Sequence, residues 1–203
     1  VSDQCGSPVV SDSIVVTVYS SPTLSLSADI VEGCAPLCVN FVGASTPSAS
    51  ICNIDFGDLT NAASCAASHC YDDAGTYSIT FSVTDMNGCV TTQTYANMIV
   101  VHPIPVAGFT ASPDTASILS PMFYFDPNCT FCDTTIYSMG DPSGGIVSNL
   151  NQPFNYSYQD NGWYTVVQSV ISEHGCVASD SIYIYVMPDW SFYAPNAFTQ
   201  NED

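Results

Sequence analysis

The side chains that could do chemistry here are ten cysteines, three histidines and nineteen carboxylates, with no lysine or arginine among them. Cysteines can pair as disulfides, or bind zinc as thiolates alongside histidine. Carboxylates on turns offer the hard oxygen donors that calcium takes. Catalysis has little to work with. His69, His102 and His174 fall on a strand, a linker and a turn, and no nucleophile elbow, HExxH helix or phosphate loop occurs. Without a cationic side chain, a developing oxyanion would depend on backbone and metal alone. The chain reads as a non-enzyme.

The formal net charge of −19 argues against two classes of partner. Nucleic acid and anionic membrane both need basic side chains for counterion release or surface attraction. No stretch approaches the ~18 consecutive apolar residues of a spanning helix, so no direct membrane insertion is expected. Nor does any basic n-region of a signal peptide appear. Self-repulsion must be relieved by salt or divalent cations. The missing cations also remove every trypsin site, which suits a protein exposed to foreign proteases.

The elements that must position these groups are strands. Ser13–Tyr19, Thr76–Thr84, Tyr164–Ile171 and Ser181–Val186 alternate apolar with polar residues and are rich in β-branched and aromatic types. No segment shows a 3.6-residue period with caps. Three segments are versions of one another: VSDQCGSPVVSDSIVVTVYSSP, VTDMNGCVTTQTYANMIVVHP and VISEHGCVASDSIYIYVMP. Their cysteines, Cys5, Cys89 and Cys176, are spaced 84 and 87 residues apart, the size of one small domain. The fold class expected is all-β, a tandem array of immunoglobulin-like β-sandwich domains. The boundaries fall at short proline-bearing linkers. They give 1–21 as the last strands of a preceding domain, domains at 22–103 and 104–188, and a new segment at 189–203. Proline holds such linkers extended, so the array should be a stiff rod.

Cysteine content and spacing predict disulfides in an oxidising compartment. Cys34 and Cys38 flank a proline turn and could bridge locally. Cys52 and Cys65 bracket Phe56-Gly57-Asp58 and could staple that turn. In a sandwich, the loop of Cys129 and Cys132 should lie at the same end as the turn of Cys176, so one of them could reach it. Connectivity stays open. A zinc set of Cys52, Cys65, His69 and Cys70 fits no familiar module. For calcium, Asp55, Asp58, Asp72 and Asp73 are the candidates, with Asp85 and, in the second unit, Asp126, Asp141 and Asp160, although no EF-hand spacing is present.

Ile54-Asp55-Phe56-Gly57-Asp58, then His69-Cys70-Tyr71, then Gly75-Thr76-Tyr77-Ser78-Ile79 resembles the polycystic-kidney-disease (PKD) domain. That family is an immunoglobulin-like sandwich with the pattern W-x-F-G-D-G, H-x-Y, G-x-Y-x-V. Met139-Gly140-Asp141, Tyr156-Ser157-Tyr158 and Gly162-Trp163-Tyr164-Thr165-Val166 repeat it more loosely. Ile54 and Tyr137 stand where the family has tryptophan, and Leu59 and Pro142 where it has the final glycine. Phe192-Tyr193-Ala194-Pro195-Asn196-Ala197-Phe198-Thr199-Gln200-Asn201 is similar to the opening of the gliding-motility-associated C-terminal domain of Bacteroidetes.

These resemblances imply a protein secreted to the bacterial cell surface: the structural stalk of a large gliding or attachment adhesin exported by type IX secretion. Its partners would be secretion and outer-membrane anchoring components at the C-terminal end, and an extracellular surface or polysaccharide through distal regions. The alternative is an accessory polysaccharide- or protein-binding module of an extracellular hydrolase, which an exposed aromatic row including Trp163 would favour. A third is a filament subunit completed by a donor strand. No cofactor is expected other than calcium. Ser13, Thr115 and Ser181 fit the pattern Asp-Ser/Thr-apolar associated with O-glycosylation in Bacteroidetes, and Thr134 is taken with them although Thr135 follows it; Asn128 and Asn155 begin Asn-x-Ser/Thr triplets.

Overall fold

The structure is a computed structural model that describes residues 13–15, 20–46, 48–149 and 151–189. The expected tail hairpin over 1–21 therefore lies mostly outside the described residues, as does the secretion-domain opening from Phe192. Within them there are sixteen strands and no helix. The chain is all-β and immunoglobulin-like.

In chain order, the first eight strands are β1 (Thr23–Ala28), β2 (Glu32–Cys34), β3 (Leu37–Thr46), β4 (Ile51–Asp55), β5 (Asn61–Ala62), β6 (Ala66–Tyr71), β7 (Gly75–Thr84) and β8 (Val90–His102). They form a three-stranded sheet ordered β1-β3-β6 and a five-stranded sheet ordered β2-β8-β7-β4-β5. The next eight are β9 (Phe109–Ser112), β10 (Thr115–Ser117), β11 (Met122–Pro127), β12 (Thr134–Ser138), β13 (Ile146–Asn149), β14 (Phe154–Ser157), β15 (Gly162–Ile171) and β16 (Val177–Met187). Their sheets are ordered β14-β11-β9 and β10-β16-β15-β12-β13. The two sets share a plan. A short strand pairs in parallel with the last long strand, β2 with β8 and β10 with β16, while the central pairs are antiparallel.

The contacts divide the chain into two compact units. One unit holds the described residues up to 31, 38–69 and 77–99; the other takes 32–37, 70–76 and residues from 100 onward. Period-2 alternation explains the burial in each. Along β3, Leu37, Val39 and Phe41 are buried while Cys38, Asn40 and Val42 are exposed. Val39, Phe41, Ile54, Phe56, Ile79 and Phe81 are core residues of the first unit. The core of the second is aromatic: Phe109, Phe123, Phe125, Tyr137, Tyr158 and Tyr164 pack with Val166, Ile184 and Val186. Edge-to-face contacts join Phe123 to Tyr158 and Phe109 to Tyr137, the geometry the ring quadrupole favours. Ile54 and Tyr137 fill the positions where the family pattern has tryptophan, and both are fully buried.

One buried polar residue joins this aromatic core to the entering chain. Gln168 accepts a hydrogen bond from the Gly108 N–H through Oε1 at 2.8 Å and donates from Nε2 to the Tyr137 hydroxyl at 2.8 Å. Both ends of the amide are thereby satisfied, as burial requires.

Candidate functional site

The aspartate of the Gly-Asp turn is held in a similar way in each unit. After β4, Asp55 Oδ1 accepts from the Gly57 N–H at 2.9 Å, closing an Asx turn. Asp58 Oδ1 then accepts from the Thr60 N–H at 3.0 Å and its hydroxyl at 2.5 Å. Its other oxygen lies 2.6 Å from His69 Nε2, and the His69 ring stacks on Phe56 at 4.2 Å. In the second unit Asp141 Oδ1 accepts from the Ser143 N–H at 2.8 Å and its hydroxyl at 2.7 Å. Tyr156 donates its hydroxyl to Asp141 Oδ2 at 3.0 Å. The motif aspartate is thus a latch between its own turn and the strand that carries His69 or Tyr156.

Burial pushes the Asp58 carboxyl up, but the hydrogen bonds from Thr60 and His69 outweigh it and hold it below 3.8. Asp141 is held below the same value by the Ser143 N–H, then by the Ser143 and Tyr156 hydroxyls. Both folded-state values lie under the unfolded ones. Their contribution is therefore complete above roughly pH 4 to 5 and is lost as pH falls through the depressed values. The double variant Asp58→Asn/Asp141→Asn should be less stable at pH 7 and show a flatter loss of stability between pH 5 and 2. Urea midpoints measured across that range check it; parallel acid limbs would exclude the latch.

Leu59 stands where the family pattern has glycine, and the backbone there still takes the glycine conformation, with φ at 74° and the side chain fully exposed. A left-handed residue with a Cβ costs ~1–2 kcal/mol, of which part returns as glycine's greater unfolded entropy. Leu59→Gly should stabilise the protein by about 0.5–1 kcal/mol in a denaturant titration, and a destabilisation would contradict it.

Tyrosines complete the corner. Tyr158 donates its hydroxyl to the Met139 carbonyl at 2.8 Å, and burial drives its phenol far above the usual 10. Tyr164 donates to the Asp160 carbonyl at 2.8 Å, four residues back.

The acidic residues singled out for calcium do not converge. Asp55 and Asp58 turn back onto their own turns, and Asp72 and Asp73 follow β6. Among the described residues, a group of three side chains placed as joint metal ligands occurs at Glu32, His102 and His174. Sequence reasoning passed over it because the three are far apart in the chain. The one available signal was His174 itself, which stands in the repeated turn where the other copy has Asn87.

Disulfides join Cys52 to Cys65 in the first unit, and Cys34 to Cys176 and Cys129 to Cys132 in the second. Two expectations are corrected. Cys34 does not bridge to Cys38, because β2 carries it alongside His102 with its sulfur on Cys176. Neither Cys129 nor Cys132 reaches Cys176, because the two close on each other across three residues. Cys38 and Cys70 are also half-cystines, and Cys89 is a free cysteine. The zinc set of Cys52, Cys65, His69 and Cys70 is ruled out, since its sulfurs are oxidised and His69 is held by Asp58.

An aromatic row lies on the outward face of the five-stranded sheet of the second unit. Trp163 on β15 is directly opposite Tyr185 on β16, their rings stacked at 4.7 Å, and Thr165 is opposite Tyr183. Trp163 is 72% exposed and Tyr183 69%. The alternation in Tyr183-Ile184-Tyr185 makes the row: odd positions face outward while Ile184 enters the core. Of the serines and threonines singled out for O-glycosylation, Ser13 and Ser181 are exposed, whereas Thr115 on β10 and Thr134 on β12 are half-buried.

The PKD-domain family model matches residues 20–100. No curated protein matches the chain significantly. Among solved structures, the PKD1 domain of Vibrio anguillarum Epp is similar over 42% of this chain and 96% of its own, at 19% identity and a TM-score of 0.36. Fibronectin(III)-like modules of Clostridium thermocellum CbhA are similar over 84% of this chain and 100% of theirs, at 12% identity and a TM-score of 0.37. A Ca2+-stabilised adhesin with which an Antarctic bacterium binds ice is similar over 93% of this chain, at 15% identity and a TM-score of 0.43, and this chain spans 55% of that one. At these scores the likenesses stand as descriptions only. Disulfides and a PKD match together fit an extracellular protein. Residues 20–100 thus match the PKD-domain family model, and the second unit builds with Asp141 and Tyr156 the same latch that Asp58 builds with His69, the chain as a whole being of immunoglobulin-like β-sandwich type.

Proposed function

We propose that the chain is a structural stretch of an extracellular adhesion protein, a stalk of PKD-like repeats that holds a binding region away from the cell. The duplicated latch carries this reading. Gly57-Asp58 with His69 and Gly140-Asp141 with Tyr156 spend the motif's polar groups on holding the turn, which leaves them satisfied internally rather than poised for a substrate. Disulfides in each unit add resistance to unfolding in an oxidising, protease-rich medium. Small-angle scattering on the purified chain tests the spacer role: an extended profile is expected, and a compact globule would count against it. The resemblance of residues 192–201 to a gliding-type secretion domain supports export by the type IX route. Undiminished surface display of the parent protein in a strain lacking that route would remove this part of the proposal.

The aromatic row favours a second reading, a polysaccharide-binding module. Flat rings exposed on a rigid sheet stack against the apolar faces of sugar rings, and Trp163 with Tyr185 and Tyr183 offers such a surface. Affinity electrophoresis against soluble polysaccharides decides it. Retardation that disappears in Trp163→Ala, with unchanged thermal stability, supports binding; no retardation on any glycan leaves the stalk reading alone.

A further inference from the structure

We propose that Glu32, His102 and His174 form a binding site for a divalent late transition metal, zinc being the probe of choice. Glu32 opens β2, which runs parallel to the end of β8 and places Cys34 beside His102. His174 sits in the turn between β15 and β16, closed by hydrogen bonds from the Ser172 N–H to the Cys176 carbonyl at 2.8 Å and from the Gly175 N–H to the Ser172 carbonyl at 2.9 Å. The Cys34–Cys176 disulfide lies two residues from Glu32 on one side and two from His174 on the other. That cross-link ties the strand of Glu32 covalently to the turn of His174.

The donor atoms of the three residues lie within 4.8 Å of one another. His102 Nε2 is 2.8 Å from Glu32 Oε1, and the two imidazoles lie face to face, centroids 3.5 Å apart and 12° from parallel, so one ring must tilt out of the stack for both nitrogens to meet one ion. Glu173 Oε1 lies 3.3 Å from His174 Nε2 but outside the group of three, so its side chain would have to move to serve as a fourth donor. Two imidazole nitrogens with one or two carboxylates suit zinc, nickel or copper(II), whereas calcium and magnesium ask for six or more oxygens. The overall charge of −19 raises the local concentration of any cation. His174 also lines, with Pro103, Phe131 and Asp133, a cavity of ≈ 450 Å³.

The test is a zinc titration of the full, disulfide-intact chain after chelator treatment, followed by calorimetry and by histidine side-chain NMR. One equivalent should bind, shifting the His102 and His174 resonances but not those of His69, which is held by Asp58. His174→Gln should weaken binding by at least ~10- to 100-fold, the loss seen when a site's supporting residues are removed. The His174 side chain is 40% exposed, so this variant should keep the metal-free melting temperature of the parent. Glu32→Gln is the second variant, and excess calcium should not compete. The proposal is overturned if no zinc binds, or if binding is unchanged in both variants and competed by calcium, since that marks a diffuse acidic surface.

Discussion

Gly140→Ala is expected to destabilise the second unit by about 2–5 kcal/mol, and Gly57→Ala to do the same in the first. At both positions the backbone is left-handed, with φ at 69° for Gly140 and 80° for Gly57. Any residue with a Cβ pays ~1–2 kcal/mol for that conformation. The new methyl would also have nowhere to go: it would sit 2.5 Å from the Thr165 carbonyl oxygen at Gly140 and 2.5 Å from the Ser78 carbonyl oxygen at Gly57. Those atoms belong to the backbone of β15 and β7, the central strands, so they cannot swing aside as a side chain would. Overpacking against a fixed wall adds ~1–3 kcal/mol. Gly144→Ala is the matched control, because its φ is 80° but a Cβ there meets nothing within 4 Å. Equilibrium urea unfolding of the three variants separates the terms. If Gly140→Ala costs no more than Gly144→Ala, the close approach contributes nothing.

Gln168→Ala should cost about 3–5 kcal/mol. The side chain is completely buried in the second unit, and its loss strands two partners at once. The Gly108 N–H loses its acceptor and the Tyr137 hydroxyl loses its donor, each at ~1–3 kcal/mol when no water replaces them. A cavity forms as well. Gln168→Met keeps most of the volume and should recover only the cavity part. Tyr137→Phe removes one of the two bonds, so the double variant with Gln168→Met should show a coupling of ~0.5–3 kcal/mol. Amide exchange at Gly108 is the direct readout: it should accelerate in both Gln168 variants and stay slow in Tyr137→Phe. Full additivity in the cycle would show that the amide does not bridge the two groups.

Much of the fold was legible because a strand's side-chain period is written in the sequence itself. Thr76–Thr84 and Tyr164–Ile171 alternate cleanly, and they became β7 and β15, the central strands that bury Phe81 and Val166. The role of the Gly-Asp motif was half legible. A tight turn was expected, but not the second carboxylate oxygen reaching His69 or Tyr156, since that contact joins residues 11 apart in one unit and 15 in the other. Leu59 shows the reverse. It departs from the family's glycine, yet the neighbouring hydrogen bonds from Thr60 to Asp58 accompany the same left-handed backbone.

By itself the sequence determined the all-β class and the duplicated motif, and its cysteines pointed to disulfides, because these follow from local periodicity, repetition and composition. Tertiary structure alone decided which cysteines pair and which distant side chains meet. Cys34 and Cys176 are 142 residues apart, and Glu32, His102 and His174 are drawn together beside them. Such partners are chosen by where separate strands and turns are carried in space, and nothing in the spacing along the chain encodes that distance.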